Sequence, residues 1–67
     1  MTIFYNDQNI QLPSENMTLT DLAEWKQIPQ QGSAIALNDK LIKRDQWSVT
    51  YLKDLDIVTV ITAAYGG

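Results

Sequence analysis

The sequence contains no cysteine and no histidine. Without cysteine there is no disulfide to brace the fold and no thiolate zinc site. Lack of cysteine also fits a reducing compartment. Without histidine the chain loses the commonest general base, the commonest metal ligand and every His-containing triad. Both gaps argue against intrinsic hydrolase or thiol chemistry. Prolines number two and glycines three in 67 residues. No apolar run is long enough to span a bilayer. The first ten residues include Asp7 and lack the basic-then-apolar order of a secretory signal. A soluble, cytoplasmic protein is the expectation.

Basic residues are also few. Five Lys and Arg against eight Asp and Glu leave a net charge of −3. No basic patch with interleaved aromatics is present, which argues against nucleic-acid binding. The acidity either assists encounter with a basic partner or serves solubility alone. At this length one small domain is expected, with a thin stability margin.

What the chain does contain is ordered. Thr2-Ile3-Phe4-Tyr5 is rich in β-branched and aromatic residues and reads as a strand. Asn6-Asp7-Gln8-Asn9 is a polar turn cluster, and Ile10-Gln11-Leu12 alternates until Pro13 stops it. The two runs predict a β-hairpin with Ile3, Tyr5, Ile10 and Leu12 facing inward. Thr18 followed by Asp21 is a variant capping box, and Leu19, Leu22 and Ala23 form one apolar helical face. Trp25 lies beside that face and is expected to be half-exposed. Ile28 precedes Pro29, so the helix should end near Gln27. A loop is expected over residues 30–33.

Ala34-Ile35-Ala36-Leu37 reads as a short strand, Asn38-Asp39 as a turn tolerant of positive φ, and Lys40-Leu41-Ile42 as its return strand. Arg44-Asp45-Gln46-Trp47 predicts a single helical turn that delivers Trp47 to the core. Arg44 either pairs with Asp39 or Asp45 or stands solvated. Tyr51-Leu52 begins another extended piece. Asp54-Leu55-Asp56 turns into the most apolar strand, residues 57–62. Two carboxylates without further oxygen ligands make a poor metal site, so none is assigned there. Period two places Val58 and Val60 on one face of the last strand and Ile57, Thr59 and Ile61 on the other. That second set either forms a docking face for partners or lies under a cover.

Hairpin, helix, then further strands is an α+β order: one helix across a mixed sheet, with the last strand central and parallel to the first. Its continuation is Ala63-Ala64-Tyr65-Gly66-Gly67. Five extended residues reach about 17 Å. The glycines carry no Cβ, so such a strip could pass a narrow channel and present an uncrowded carboxylate. The alternative for this stretch is a frayed terminus.

Phe4-Tyr5-Asn6-Asp7, Ala36-Leu37-Asn38-Asp39, the string Ile42-Lys43-Arg44-Asp45-Gln46-Trp47, the turn Asp54-Leu55-Asp56 and the diglycine occur here in one order and spacing. In these motifs, over essentially its whole length, the chain resembles the ThiS family of sulfur carriers for thiamin biosynthesis. The resemblance implies a β-grasp (ubiquitin-like) domain over residues 1–62 and a flexible tail over 63–67. It implies that Gly67 is the site of adenylation and of the thiocarboxylate, with Gly66 and Tyr65 governing access. A partner face would then comprise Ile57, Thr59, Ile61, Ala63 and Ala64. The implied partners are a ThiF-like adenylating enzyme using ATP and magnesium, a persulfide donor such as a cysteine desulfurase, and a ThiG-like thiazole synthase. The carrier itself would bind no cofactor or metal and supply no catalytic side chain.

Two departures stand out. Leu55 occupies a place where the family usually has glycine, and a leucine resists positive φ, so that turn is expected to differ in type. Tyr65 is bulkier than the residue expected before the diglycine. Rival readings are the small subunit of molybdopterin synthase, a ubiquitin-like protein modifier, and an interaction module whose glycines are incidental.

Overall fold

The computed structural model describes residues 1–29 and 31–62. Five strands form one mixed sheet, and one helix packs across its inner face. Strand β1 spans Thr2–Tyr5 and β2 spans Gln8–Gln11; helix α1 covers Leu19–Trp25. Strands β3 (Ser33–Leu37) and β4 (Lys40–Ile42) form a second hairpin, a 3-10 helix covers Arg44–Val49, and β5 covers Ile57–Thr62. The strand order is β2-β1-β5-β3-β4. β5 is therefore central, parallel to β1 and antiparallel to β3.

Both hairpins turn in two residues. Asn6 and Asp7 have φ of 47° and 69°, and Asn38 and Asp39 have 51° and 69°. Asparagine and aspartate tolerate this region, and the resulting turn matches the twist of the paired strands. The first turn is tighter than the four polar residues 6–9 suggest. Gln8 and Asn9 already pair with Tyr5 and Phe4, so β2 begins earlier, and Leu12 lies just beyond it. At an edge, backbone pairing tolerates polar side chains that propensity alone assigns to a loop.

Helix α1 opens as expected. Thr18 N–H donates to Asp21 Oδ2 at 3.0 Å, and Asp21 N–H donates to Thr18 Oγ1 at 3.1 Å. It closes at Trp25, two residues short of Gln27. Gln27 takes φ 57°, Ile28 N–H donates to Ala23 O at 2.8 Å, and Gln27 N–H donates to Glu24 O at 3.3 Å. These two bonds are the Schellman closure, with glutamine where glycine is usual. Ile28, buried, covers the helix end.

Ser33 pairs with Thr62 and belongs to β3 rather than to the preceding loop; Gln30, in that loop, lies outside the described residues. The helical turn predicted over 44–47 extends as the 3-10 helix to Val49. The extended piece expected from Tyr51 is only a bridge to Thr18, flanked by Leu52 N–H donating to Met17 O at 2.8 Å.

Ile3, Leu19, Leu22, Ile35, Trp47 and Val58 are essentially fully buried. Each contributes about 1.5–3 kcal/mol by leaving water. Tyr5, Ile10 and Val60 are partly buried against this cluster. Trp47 Nε1–H donates to Ile42 O at 3.1 Å, so the indole fills the core without stranding its polar atom.

Candidate functional site

The site is built on β5, because β5 is the strand that leads into residues 63–67. Its inner face carries Val58, wholly buried, and Val60. Its outer face carries Ile57 and Ile61, 48% and 65% exposed, with Thr59 exposed between them. The sheet alternation read from the sequence thus holds. Of the two outcomes left open there, the described residues leave this face uncovered.

Neighbouring strands widen the face with residues that the one-strand pattern did not single out. Phe4 is level with Ile57, Ala34 with Ile61, and Ala36 with both Thr59 and Leu41. Leu41 is 68% exposed. Register pairs share a face, so Phe4, Ile57, Ala36, Ile61 and Leu41 make one apolar strip across the outer sheet. The missed signal is cross-strand register, which no single segment encodes. An apolar surface of this kind on a small domain is a candidate for docking.

Two asparagine side chains hold β5. At its start, Asn38 Oδ1 accepts from Ile57 N–H at 2.9 Å. Further along the strand, Asn6 Oδ1 accepts from Val60 N–H at 2.7 Å. The turn before β5 is also tied down: Asp54 Oδ1 accepts from Thr2 N–H at 2.9 Å, and Asp56 Oδ2 accepts from Lys53 N–H at 2.7 Å. Both carboxylates are occupied as turn acceptors. Among the described residues, no cluster of His, Cys, Asp or Glu could hold a metal ion.

Leu55 takes φ 68° despite its Cβ. The expectation that leucine would shift the turn away from positive φ is therefore corrected. Leu55 N–H donates to Thr2 O at 2.6 Å, and the side chain is 59% exposed, so tertiary bonds hold the strained backbone while the side chain meets no obstacle.

A second exposed feature lies where α1 ends. Lys26 Nζ sits 4.9 Å from the Tyr5 ring centroid and 5.8 Å from that of Trp25. Trp25 is half-exposed, as expected. Burial pushes the Tyr5 phenol above its ordinary pKa. Arg44 is exposed on the surface. Tyr65, Gly66, Gly67, Ala63 and Ala64 lie outside the described residues. No described helix is long and apolar enough to cross a membrane.

A family model described as the ThiS family matches residues 3–67. "Sulfur carrier protein ThiS" of Escherichia coli (strain K12) is 31% identical over 67 residues, covering 100% of both chains. A crystal structure of a thiamine biosynthesis protein (ThiS) from Geobacter metallireducens superposes with a TM-score of 0.86 at 23% identity, over 100% of both chains. A solution structure of a thiamine biosynthesis protein from Geobacter metallireducens gives the same TM-score of 0.86 at 22% identity and covers 88% of that chain. The last two likenesses establish the β-grasp fold.

Proposed function

The chain belongs to the ThiS family, the sulfur carriers of thiamin biosynthesis, and from that premise we propose how it carries its atom. The C-terminal carboxylate of Gly67 is the loading point. A carboxylate is a poor electrophile, and a mixed anhydride with AMP supplies the leaving group it lacks. A ThiF-like enzyme provides ATP and magnesium: a Gly67 oxygen attacks the α-phosphorus and pyrophosphate departs. The terminal sulfur of a persulfide, filled by a donor such as a cysteine desulfurase, then attacks the acyl carbon and AMP leaves. A further thiol of the donor cleaves the resulting disulfide and leaves a thiocarboxylate. A ThiG-like thiazole synthase takes that sulfur into the thiazole ring. The carrier is a cosubstrate in the cytoplasm and lends no acid, base or nucleophile from a side chain.

In this reading the domain over residues 1–62 is a handle and residues 63–67 are the reach. Ile57, Thr59 and Ile61, widened by Phe4 and Leu41, rest on the adenylating enzyme. Ala63 and Ala64 keep the strip slim as it leaves β5, Tyr65 meets the mouth of the partner's channel, and Gly66 passes through it. The observation that carries the reading is the outer face of β5. The strand leading into the C-terminal segment is central and apolar on an uncovered side. A docked β5 would deliver the tail from a rigid base, which lowers the ordering cost of each encounter.

Intact-mass measurement of the protein from thiamin-starved cells tests the proposal. The expected species has one oxygen replaced by sulfur, localised to Gly67 by fragmentation. A chain that stays entirely in the carboxylate form under starvation would rule the loading out.

A further inference from the structure

Asn6 stands where β1 runs out. The strand ends at Tyr5, and the backbone at Asn6 turns away with φ 47°. The side chain instead reaches back along the sheet. Asn6 Oδ1 accepts from Val60 N–H at 2.7 Å, and Nδ2 donates to Val60 O at 3.2 Å. Its own N–H donates to Val58 O at 2.9 Å.

Alternate residues of a strand direct their N–H and C=O toward the same neighbour. On the β1 side of β5 that row is Asp56, Val58, Val60 and Thr62. Phe4 N–H takes Asp56 O at 2.9 Å, and Asn6 N–H takes Val58 O. A primary amide offers the same donor and acceptor as a peptide group. The Asn6 side chain thus serves as one more peptide of β1 and carries the pairing to Val60. The other edge of β5 stays paired to Thr62 through Ser33.

We propose that Asn6 is a positioning residue for loading of the carrier. By gripping Val60 from the β1 side, it fixes the direction in which the chain leaves β5, and so where Gly67 is presented to the adenylating enzyme. This inference rests on the carrier reading above. Asn38 provides the internal comparison. It has the same residue type at the same place in a two-residue turn, with φ 51° and its side chain on Ile57 N–H and Asp56 Oδ1. It grips the start of β5 and should have no influence on the tail.

The test pairs Asn6→Gly with Asn38→Gly in the full chain. Glycine keeps the positive φ and deletes only the amide. Amide exchange at Val60 should speed up about tenfold or more in Asn6→Gly and stay unchanged in Asn38→Gly. In ATP–pyrophosphate exchange with the adenylating enzyme, Asn6→Gly should raise KM for the carrier about tenfold at nearly constant kcat, because the freed segment must be ordered at each docking. Asn38→Gly should leave KM within about twofold. Asn6→Asp keeps the acceptor for Val60 N–H and loses the donor, so it should fall between wild type and Asn6→Gly. Equal KM rises in the two glycine variants would overturn the proposal, and so would an unchanged KM in Asn6→Gly. If Asn6→Gly does not fold, Asn6→Asp decides: a wild-type KM with Val60 exchange accelerated overturns it. Wild-type protein that supports no exchange would instead overturn the carrier reading, and this inference with it.

Discussion

Asn38 Nδ2 donates to Asp56 Oδ1 at 3.0 Å, joining the turn between β3 and β4 to the turn that launches β5. Asp56 is 92% removed from solvent, being 8% exposed, and its other oxygen accepts from Lys53 N–H at 2.7 Å. A buried carboxylate held this way organises backbone that would otherwise lack acceptors. Asp56→Ala should therefore cost about 2–3 kcal/mol, because it removes two hydrogen bonds to a charged, buried acceptor. Urea unfolding reads the loss directly. A double-mutant cycle with Asn38→Ala should return a coupling of at least about 0.5 kcal/mol, and strict additivity would contradict the pairing.

Leu55 offers the opposite case. Its φ of 68° costs a leucine about 1–2 kcal/mol that glycine would not incur, while the exposed side chain contributes little packing. After the larger unfolded-state entropy of glycine is subtracted, Leu55→Gly should stabilise the protein by about 0.5–1 kcal/mol. A thermal midpoint that falls instead would show that the leucine side chain packs in a way its exposure conceals.

The outer face of β5 should be separable from stability. Ile57→Asp and Ile61→Asp place charge on exposed positions, so far-UV circular dichroism should remain native. Affinity for the adenylating enzyme should fall at least about tenfold for each, as expected for apolar anchors at an interface centre. Val49, 64% exposed on the 3-10 helix, is the control. Val49→Asp should bind as wild type, and an equal loss there would point to a general charge effect.

Deletion of Gly67 should leave unfolding unchanged, since no core residue is touched, and abolish ATP–pyrophosphate exchange. Gly67→Ala should retain folding and lose most exchange, because a Cβ on the terminal residue crowds the carboxylate where it must meet the α-phosphorus. Retained exchange after the deletion would remove Gly67 from the mechanism.

Tyr5 makes a pH prediction. Burial raises its folded-state pKa above the ordinary value of 10.0. The unfolded chain therefore gives up this proton first. The stability associated with the neutral phenol is complete below about pH 10 and declines as pH rises through the higher folded-state value. Tyr5→Phe keeps the ring beneath Lys26 and removes the titrating hydroxyl. Thermal midpoints of the two proteins should diverge from about pH 9 to about pH 11, with wild type losing more. Parallel curves would assign the alkaline loss to other groups.

Much of the architecture could be read from local pattern. The Thr18–Asp21 cap, the Asn-Asp turns and the period-two alternation of β5 each rest on interactions within a few residues, so the residue types alone report them. The early start of β2 was hidden because Gln8 and Asn9 look like loop residues and become strand only when Tyr5 and Phe4 lie opposite. Leu55 was misjudged for a related reason: its backbone conformation is held by Thr2, far away in the chain.

The sequence by itself determined the chemistry available: no thiol, no imidazole, an apolar strand near the end and two glycines after it. It also determined how the residues of that strand divide between two faces, because alternation is a property of the strand alone, whereas the fold decided which of the two faces is left uncovered among the described residues. Only the tertiary structure decided that Phe4, Ala36 and Leu41 join Ile57 and Ile61 on one surface, and that the Asn6 amide completes the edge of β5 at Val60. Those relationships join residues up to 54 positions apart. Register and long-range hydrogen bonds exist only once strands are side by side, so no single segment carries their signature.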